Sequence, residues 1–123
     1  MPARFPGSAR LLRHADFERV YKLGQRHFAP HMTVFYWRRP EGDGLRVGFT
    51  VGRVLGGAVK RNRMKRRLRE AVRLQGLPPG APVDVVINPK KSLLTVEFAT
   101  IKEEVARPFA VIQKYLQKAG GRE

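Results

Sequence analysis

The chain contains no cysteine, which excludes disulfides and thiolate metal sites. No run of about eighteen apolar residues occurs, and the N-terminal MPARFPGSARLLRHADF lacks the apolar centre of a secretory signal. The expectation is a soluble, cytoplasmic protein. Acidic residues are scarce too: 10 Asp and Glu stand against 25 Lys and Arg, a formal net charge of +15. They form no carboxylate cluster suited to a two-metal site, and His14, His27 and His31 show no paired arrangement, so no catalytic centre is read from the residues. No internal repeat or low-complexity tract divides the 123 residues, a length that suits one domain with a real core.

What the chain does have is concentrated positive charge. The stretch GGAVKRNRMKRRLREAVR, Gly56 to Arg73, carries eight basic residues and one acidic residue in the fourteen positions from Lys60 to Arg73. Like charges this close repel one another on folding, and a polyanionic partner relieves that repulsion. With a helix over Val59 to Leu74, a step of about 100° per residue places Met64, Leu68, Ala71 and Val72 on one stripe. Asn62, Arg66, Arg69 and Arg73 fall opposite, with Arg63 and Glu70 near the edge, so the cations form a ridge. The apolar stripe has no Trp or Phe, which suits packing on a sheet better than insertion into a membrane. Nucleic acid is the better partner.

Gly56 and Gly57 let backbone approach an anion at the helix start. GRVLGGAVK is nonetheless not a P-loop, because Ala58 stands where that motif needs lysine. Arg61 points toward the apolar side and must emerge at a sheet edge, snorkel, or belong to the loop before the helix.

Residues 1–13, with Pro2, Pro6, Gly7 and their arginines, suit an extended basic arm. A helix of about three turns follows from His14, with Asp16 near its N-terminus, Phe17, Val20 and Tyr21 at i, i+3 and i+4, and Gly24 in a left-handed C-terminal position. His31 to Arg39 and Leu45 to Val51 read as two strands joined in a hairpin, the second placing Leu45, Val47, Phe49 and Val51 on one face. Val83 to Ile87 makes a third strand, ended by Asn88-Pro89. From about Thr95 the pattern is helical, with Phe98, Ile101 and Val105 as core positions and a break at Pro108, after which Phe109, Ile112 and Leu116 continue. The order αββαβα predicts an α+β sandwich built on one mostly antiparallel sheet.

GGAVKRNRMKRRLREAVR resembles the RNR motif of the protein subunit of bacterial ribonuclease P. ADFERVYKLG is similar to that family's first helix, LRVGFTVGRVLGGAV to its central strand and crossover, and VDVVI to its late strand, covering about residues 11 to 105. The resemblance implies a fold like the second domain of a small-subunit ribosomal protein, with a left-handed βαβ crossover against the usual handedness. It implies a catalytic RNA as partner and precursor transfer RNA as substrate, cleaved at the 5′ end by magnesium ions held on the RNA. No cofactor, DNA or membrane partner and no catalytic side chain of its own are expected of the protein.

Carried over by position, Lys60, Arg61, Asn62, Arg63, Lys65, Arg66, Arg69 and Arg73 would face the catalytic RNA. Asn62 can donate and accept, which suits a base edge, a 2′-hydroxyl or a bond that caps the helix start. Phe17, Tyr21 and Phe35 match the aromatic positions of the family's cleft for the precursor's 5′ leader, though spacing alone also fits ordinary core. Asn88-Pro89 replaces an arginine common in the family, so a contact made there would pass to Lys90 and Lys91. The segment from 106 to 123 has no counterpart. A general RNA-binding module would keep the basic helix without the cleft, and a free-standing nuclease would need its histidines.

Overall fold

The computed structural model describes residues 13–42, 44–75 and 82–120, so the expected arm before Arg13 and most of the loop GLPPGAP lie outside the described residues. Helix α1 spans His14–Leu23, and strands β1 (Gln25–Phe28), β2 (Met32–Arg38) and β3 (Arg46–Phe49) follow it. A 3-10 turn at Arg53–Leu55 leads into α2 (Ala58–Gln75), and then come β4 (Val83–Pro89), a second 3-10 turn at Lys91–Leu94, and α3 (Phe98–Gly120). The four strands form one sheet in the order β1-β2-β4-β3, parallel only where β3 meets β4. The α+β sandwich with a mostly antiparallel sheet is as expected, and so is a βαβ crossover, β3–α2–β4, between parallel neighbours; the connection between the second and third expected strands is not.

The expected hairpin between the second and third strands does not form. β4 lies between them, pairing antiparallel with β2 (Phe35 opposite Val86) and parallel with β3 (Gly48 opposite Val86). β4 is buried along almost its whole length, and a strand read as a continuous Val/Ile run belongs in the middle of a sheet. The hairpin is instead made by β1, a strand not foreseen, whose QRHF has no β-branched residue. Gly24 explains the tight entry to it. Its backbone is extended, not left-handed, and a Cβ there would lie 2.5 Å from both the Tyr36 and the Val20 carbonyl oxygens.

Alternation along β2 separates two faces: Met32, Val34 and Tyr36 are buried, while Thr33, Phe35 and Trp37 are half-buried. The first face packs with Val47, Val83, Val85 and Ile87 against Met64, Leu68, Ala71 and Val72 of α2 and Ile101, Val105, Phe109 and Ile112 of α3. The apolar stripe of the basic helix is thus the one its periodicity predicts. α3 starts at Phe98, later than Thr95, and runs unbroken through Pro108. Proline removes one hydrogen bond, and burial of the flanking Val105, Phe109 and Ile112 holds the helix across the gap. Pro89 likewise stays in β4, at its last position, where β3 has already ended at Phe49 opposite Ile87.

α1 covers the second face, held by Val20 and by charge. Asp84 in β4 is fully buried, a position a lone carboxylate cannot tolerate. It accepts Arg39 Nη1 at 2.6 Å and both Arg46 Nε and Nη2 at 2.8 Å. Arg46 Nη2 also reaches Asp16 Oδ1 of α1 at 3.2 Å, so one guanidinium fastens the helix to two strands. Asp16 Oδ2 accepts the Arg13 N–H at 2.9 Å, closing the first turn. On the other face, Arg67 of α2 donates to the carbonyls of Leu93 (2.9 Å), Leu94 (3.2 Å) and Val96, binding α2 to the second 3-10 turn. Burial lowers its pKa, with Arg63 adding repulsion.

Two outcomes follow. Arg67→Ala strips three carbonyls of a charged donor and should lower unfolding free energy by about 1 to 3 kcal/mol in urea melts, with Arg67→Lys recovering only part because an ammonium lacks the guanidinium fork. The Arg13 N–H, ahead of the charges of Arg46 and Arg19, holds the Asp16 carboxyl below its ordinary 3.8. A depressed carboxylate stabilises the fold fully above its unfolded value and loses that contribution as pH falls through the lower, folded one. The melting-temperature gap between wild type and Asp16→Asn, which keeps the acceptor for Arg13, should therefore be constant near neutrality and shrink below about pH 4.

Candidate nucleic-acid interface

The ridge of α2 is built as its periodicity requires. Lys60, Asn62, Arg63 and Arg66 are exposed, and Arg61, Lys65, Arg69 and Arg73 are half-buried. Arg61, the misfit on the wheel, is the fourth residue of the helix and turns back so that its Nε donates to the Gly56 carbonyl at 3.1 Å. Gly56 has φ +131°, a backbone that L side chains rarely adopt. Asn62 sits one full turn into α2, too late to cap its start, and its amide makes no hydrogen bond among the described residues.

The cations are not equally available. Arg73 pairs with Glu70, which lowers the Glu70 pKa, so the C-terminal end of the ridge is partly neutralised. The Arg69 Nε is buried without a hydrogen-bond partner among the described residues. Val59, Asn62, Lys65, Arg66 and Arg69 line a shallow depression of about 470 Å³, and Arg63, Arg66, Arg67, Glu70 and Phe98 line another of about 380 Å³. Arg67, although in the same basic run, is turned inward to its carbonyls. Sequence periodicity does not single out its role, since the acceptors come from a segment about 26 residues away.

The aromatic residues meet on the opposite face of the sheet. Tyr21, 39% exposed, stands edge-on to Phe35 with ring centroids 4.8 Å apart and planes at 89°. The Tyr21 hydroxyl donates to Asn88 Oδ1 at 3.0 Å and accepts from Thr50 Oγ1 at 2.6 Å. Phe17, half-buried, lies one turn earlier on α1. Of the neighbouring strand aromatics, Tyr36 is buried on the core side, and Trp37 shares the face of Phe35. Asn88 and Thr50 were absent from the expected set. Asn88 contributes a neutral acceptor that orients Tyr21. Lys90 turns its ammonium to the Ala29 carbonyl at 3.4 Å, and Lys91 is exposed.

The three histidines are dispersed. His14 pairs with Glu18 on the surface of α1, His27 lies on β1, and His31 joins Ser92 (Nδ1 to Oγ 2.7 Å) and the buried Glu104 (backbone N–H to Oε1 2.9 Å), tying the β1–β2 turn to α3. They converge on no common point where a substrate would sit. Among the described residues, no group of three His, Asp or Glu is placed to hold a metal ion, and no helix is long and apolar enough to cross a membrane.

A profile of the Ribonuclease P family matches residues 5–113. The chain is 38% identical to the ribonuclease P protein component of Geobacter sp. (strain M21) over 116 residues, covering 91% of this chain and 95% of that one. It is 42% identical to the component of Oleidesulfovibrio alaskensis over 87 residues, covering 69% of each. Among solved structures, the RNase P protein of Staphylococcus aureus superposes with a TM-score of 0.72 at 27% identity, over 86% of this chain and 95% of that one. The RNase P protein of Thermotoga maritima gives 0.70 at 30% identity, over 81% and 94%. With the profile spanning most of its length, the chain belongs to the ribonuclease P protein family.

Proposed function

We propose that the α2 ridge, through Lys60 to Arg69, docks on the catalytic RNA of ribonuclease P, and that Phe17, Tyr21 and Phe35 hold the unpaired 5′ leader of precursor transfer RNA. As a family member the chain is the protein subunit of a ribonucleoprotein endoribonuclease of transfer RNA 5′ maturation. One observation supports the division of labour: Asp16, Asp84 and Glu104, buried acids, are engaged inside the fold, while Lys60, Arg63, Lys65, Arg66 and Arg69 of α2 have no acidic partner among the described residues. Positive charge is thereby kept for an external polyanion.

The chemistry follows from what each part offers. Guanidinium forks grip phosphate in two places at once, and Asn62 among them adds a contact that phosphate alone does not require. Rings such as Tyr21 and Phe35 stack on any base, so a leader binds without its sequence being read. The magnesium ions of cleavage would be held on the RNA; of the buried acids here, Asp84 is engaged by Arg39 and Arg46 and Glu104 by His31. The working compartment is the cytoplasm, where precursor transfer RNA is made.

The decisive experiment is reconstitution. Purified protein should leave precursor transfer RNA uncut, and addition of the catalytic RNA should restore correct 5′ trimming at low magnesium; cleavage by protein alone would refute the assignment. In the same holoenzyme Tyr21→Ala should weaken precursor binding by about 1 to 3 kcal/mol while sparing mature transfer RNA. Equal loss for both would remove the leader role. Neutralising about six phosphates should make the log of the affinity for the catalytic RNA fall with log salt at a slope of about −4 to −5, and a slope near −1 would contradict docking through the ridge.

A further inference from the structure

Phe28 is a large apolar side chain left 71% exposed on an edge strand, a placement that folding alone does not reward. Its register shows which way it faces. Phe28 pairs with Thr33 and Arg26 with Phe35, and directly opposed residues of antiparallel strands share a face, so Phe28 and Arg26 lie on the same side of the sheet as Phe35. Thr33 in turn pairs with Asn88. The Thr50 N–H bonds the Ile87 carbonyl, continuing the line onto the far edge. Phe28, Thr33, Asn88 and Thr50 therefore form one row crossing all four strands, and the Tyr21 hydroxyl is pinned to the last two. With strands about 4.8 Å apart, Phe28 stands about 10 Å from Asn88 along that row.

Two cations flank the aromatic ring. Arg26 is exposed on the same face, and the Lys90 ammonium reaches the carbonyl of Ala29, the residue next to Phe28. Aromatic rings interleaved with cations are what a single strand of nucleic acid requires: stacking for bases, positive charge for the backbone between them. Direction comes from the chain. Thr50 lies three residues before the 3-10 turn that leads into α2, so the β3 edge is the one beside the docked catalytic RNA and the β1 edge is remote from it.

We propose that the leader-binding surface continues across the sheet onto β1. There Phe28 stacks a base of the leader farther from the cleavage site than those held by Tyr21 and Phe35, and Arg26 and Lys90 meet the adjoining phosphates. This rests on the leader assignment and extends it by a subsite at the open edge. Thr33, half-buried between the two aromatic stations, is the floor the strand crosses.

The test uses the reconstituted holoenzyme and precursors whose leaders are shortened one nucleotide at a time. Tyr21→Ala should weaken binding of all but the shortest leaders. Phe28→Ala should lose about five- to tenfold in affinity, but only for leaders at least one nucleotide longer than the length at which Tyr21 first matters, and Phe28→Trp should restore the loss. Wild-type affinity of Phe28→Ala at every leader length, alongside a weakened Tyr21→Ala, overturns the β1 subsite and leaves the leader cleft standing. A Phe28→Ala loss of equal size for mature transfer RNA also overturns it. Unchanged binding by both variants removes the leader cleft itself.

Discussion

The Asp84 carboxylate, fully buried in the central strand, is the constraint around which the rest is arranged. Burying it unpaired would cost far more than a small domain can spare, so its position requires Arg39 and Arg46 on either side. Arg46 then has a donor left for Asp16, which brings the N-terminal turn of α1 onto the sheet. That choice sets where the helix lies, and one turn beyond Phe17 it delivers Tyr21 to Phe35, Asn88 and Thr50. A network with no direct part in binding thus positions the aromatic wall of the trough.

The same network shapes the electrostatics of the opposite face. A chain with 10 acids and 25 bases has few carboxylates to place, and three of them are withdrawn into the interior. Only Glu70 stands within the basic helix, and it pairs with Arg73 at the C-terminal end. The first three turns of α2 keep their charge. Repulsion along them is tolerated because Met64, Leu68, Ala71 and Val72 are buried on the sheet, and hydrophobic burial of this kind outweighs exposed like-charge pairs of a few tenths of a kcal/mol each. The two sides of one sheet consequently differ, with the cationic helix α2 over one and the aromatic residues Phe17, Tyr21 and Phe35 on the other.

Much of this was legible in the residues. The period of α2 predicts its buried stripe and its ridge, because both are local consequences of helical geometry. Alternation in LRVGFTV predicts which side of β3 meets the core. The excess of bases points to a polyanion, and the pattern from Gly56 to Arg73 resembles that of the family to which the profile over residues 5–113 assigns the chain. Less visible were the functions of single polar residues. Asp84 in VDVVI signals that something cationic must lie nearby, yet nothing local says that Arg39 and Arg46 supply it.

By itself, then, the sequence determined the helix faces, the sign of the charge and the aromatic residues available, all of which depend on spacing within one element. Only the tertiary structure decided that β4 separates β2 from β3, that QRHF pairs as an edge strand, that α3 passes through Pro108, and that Arg67 turns inward while Arg66 turns out. Each of these depends on partners far apart along the chain. Strand neighbours are chosen by burial and register between segments, and a cation is structural or functional according to which distant carbonyls or carboxylates come within reach of it.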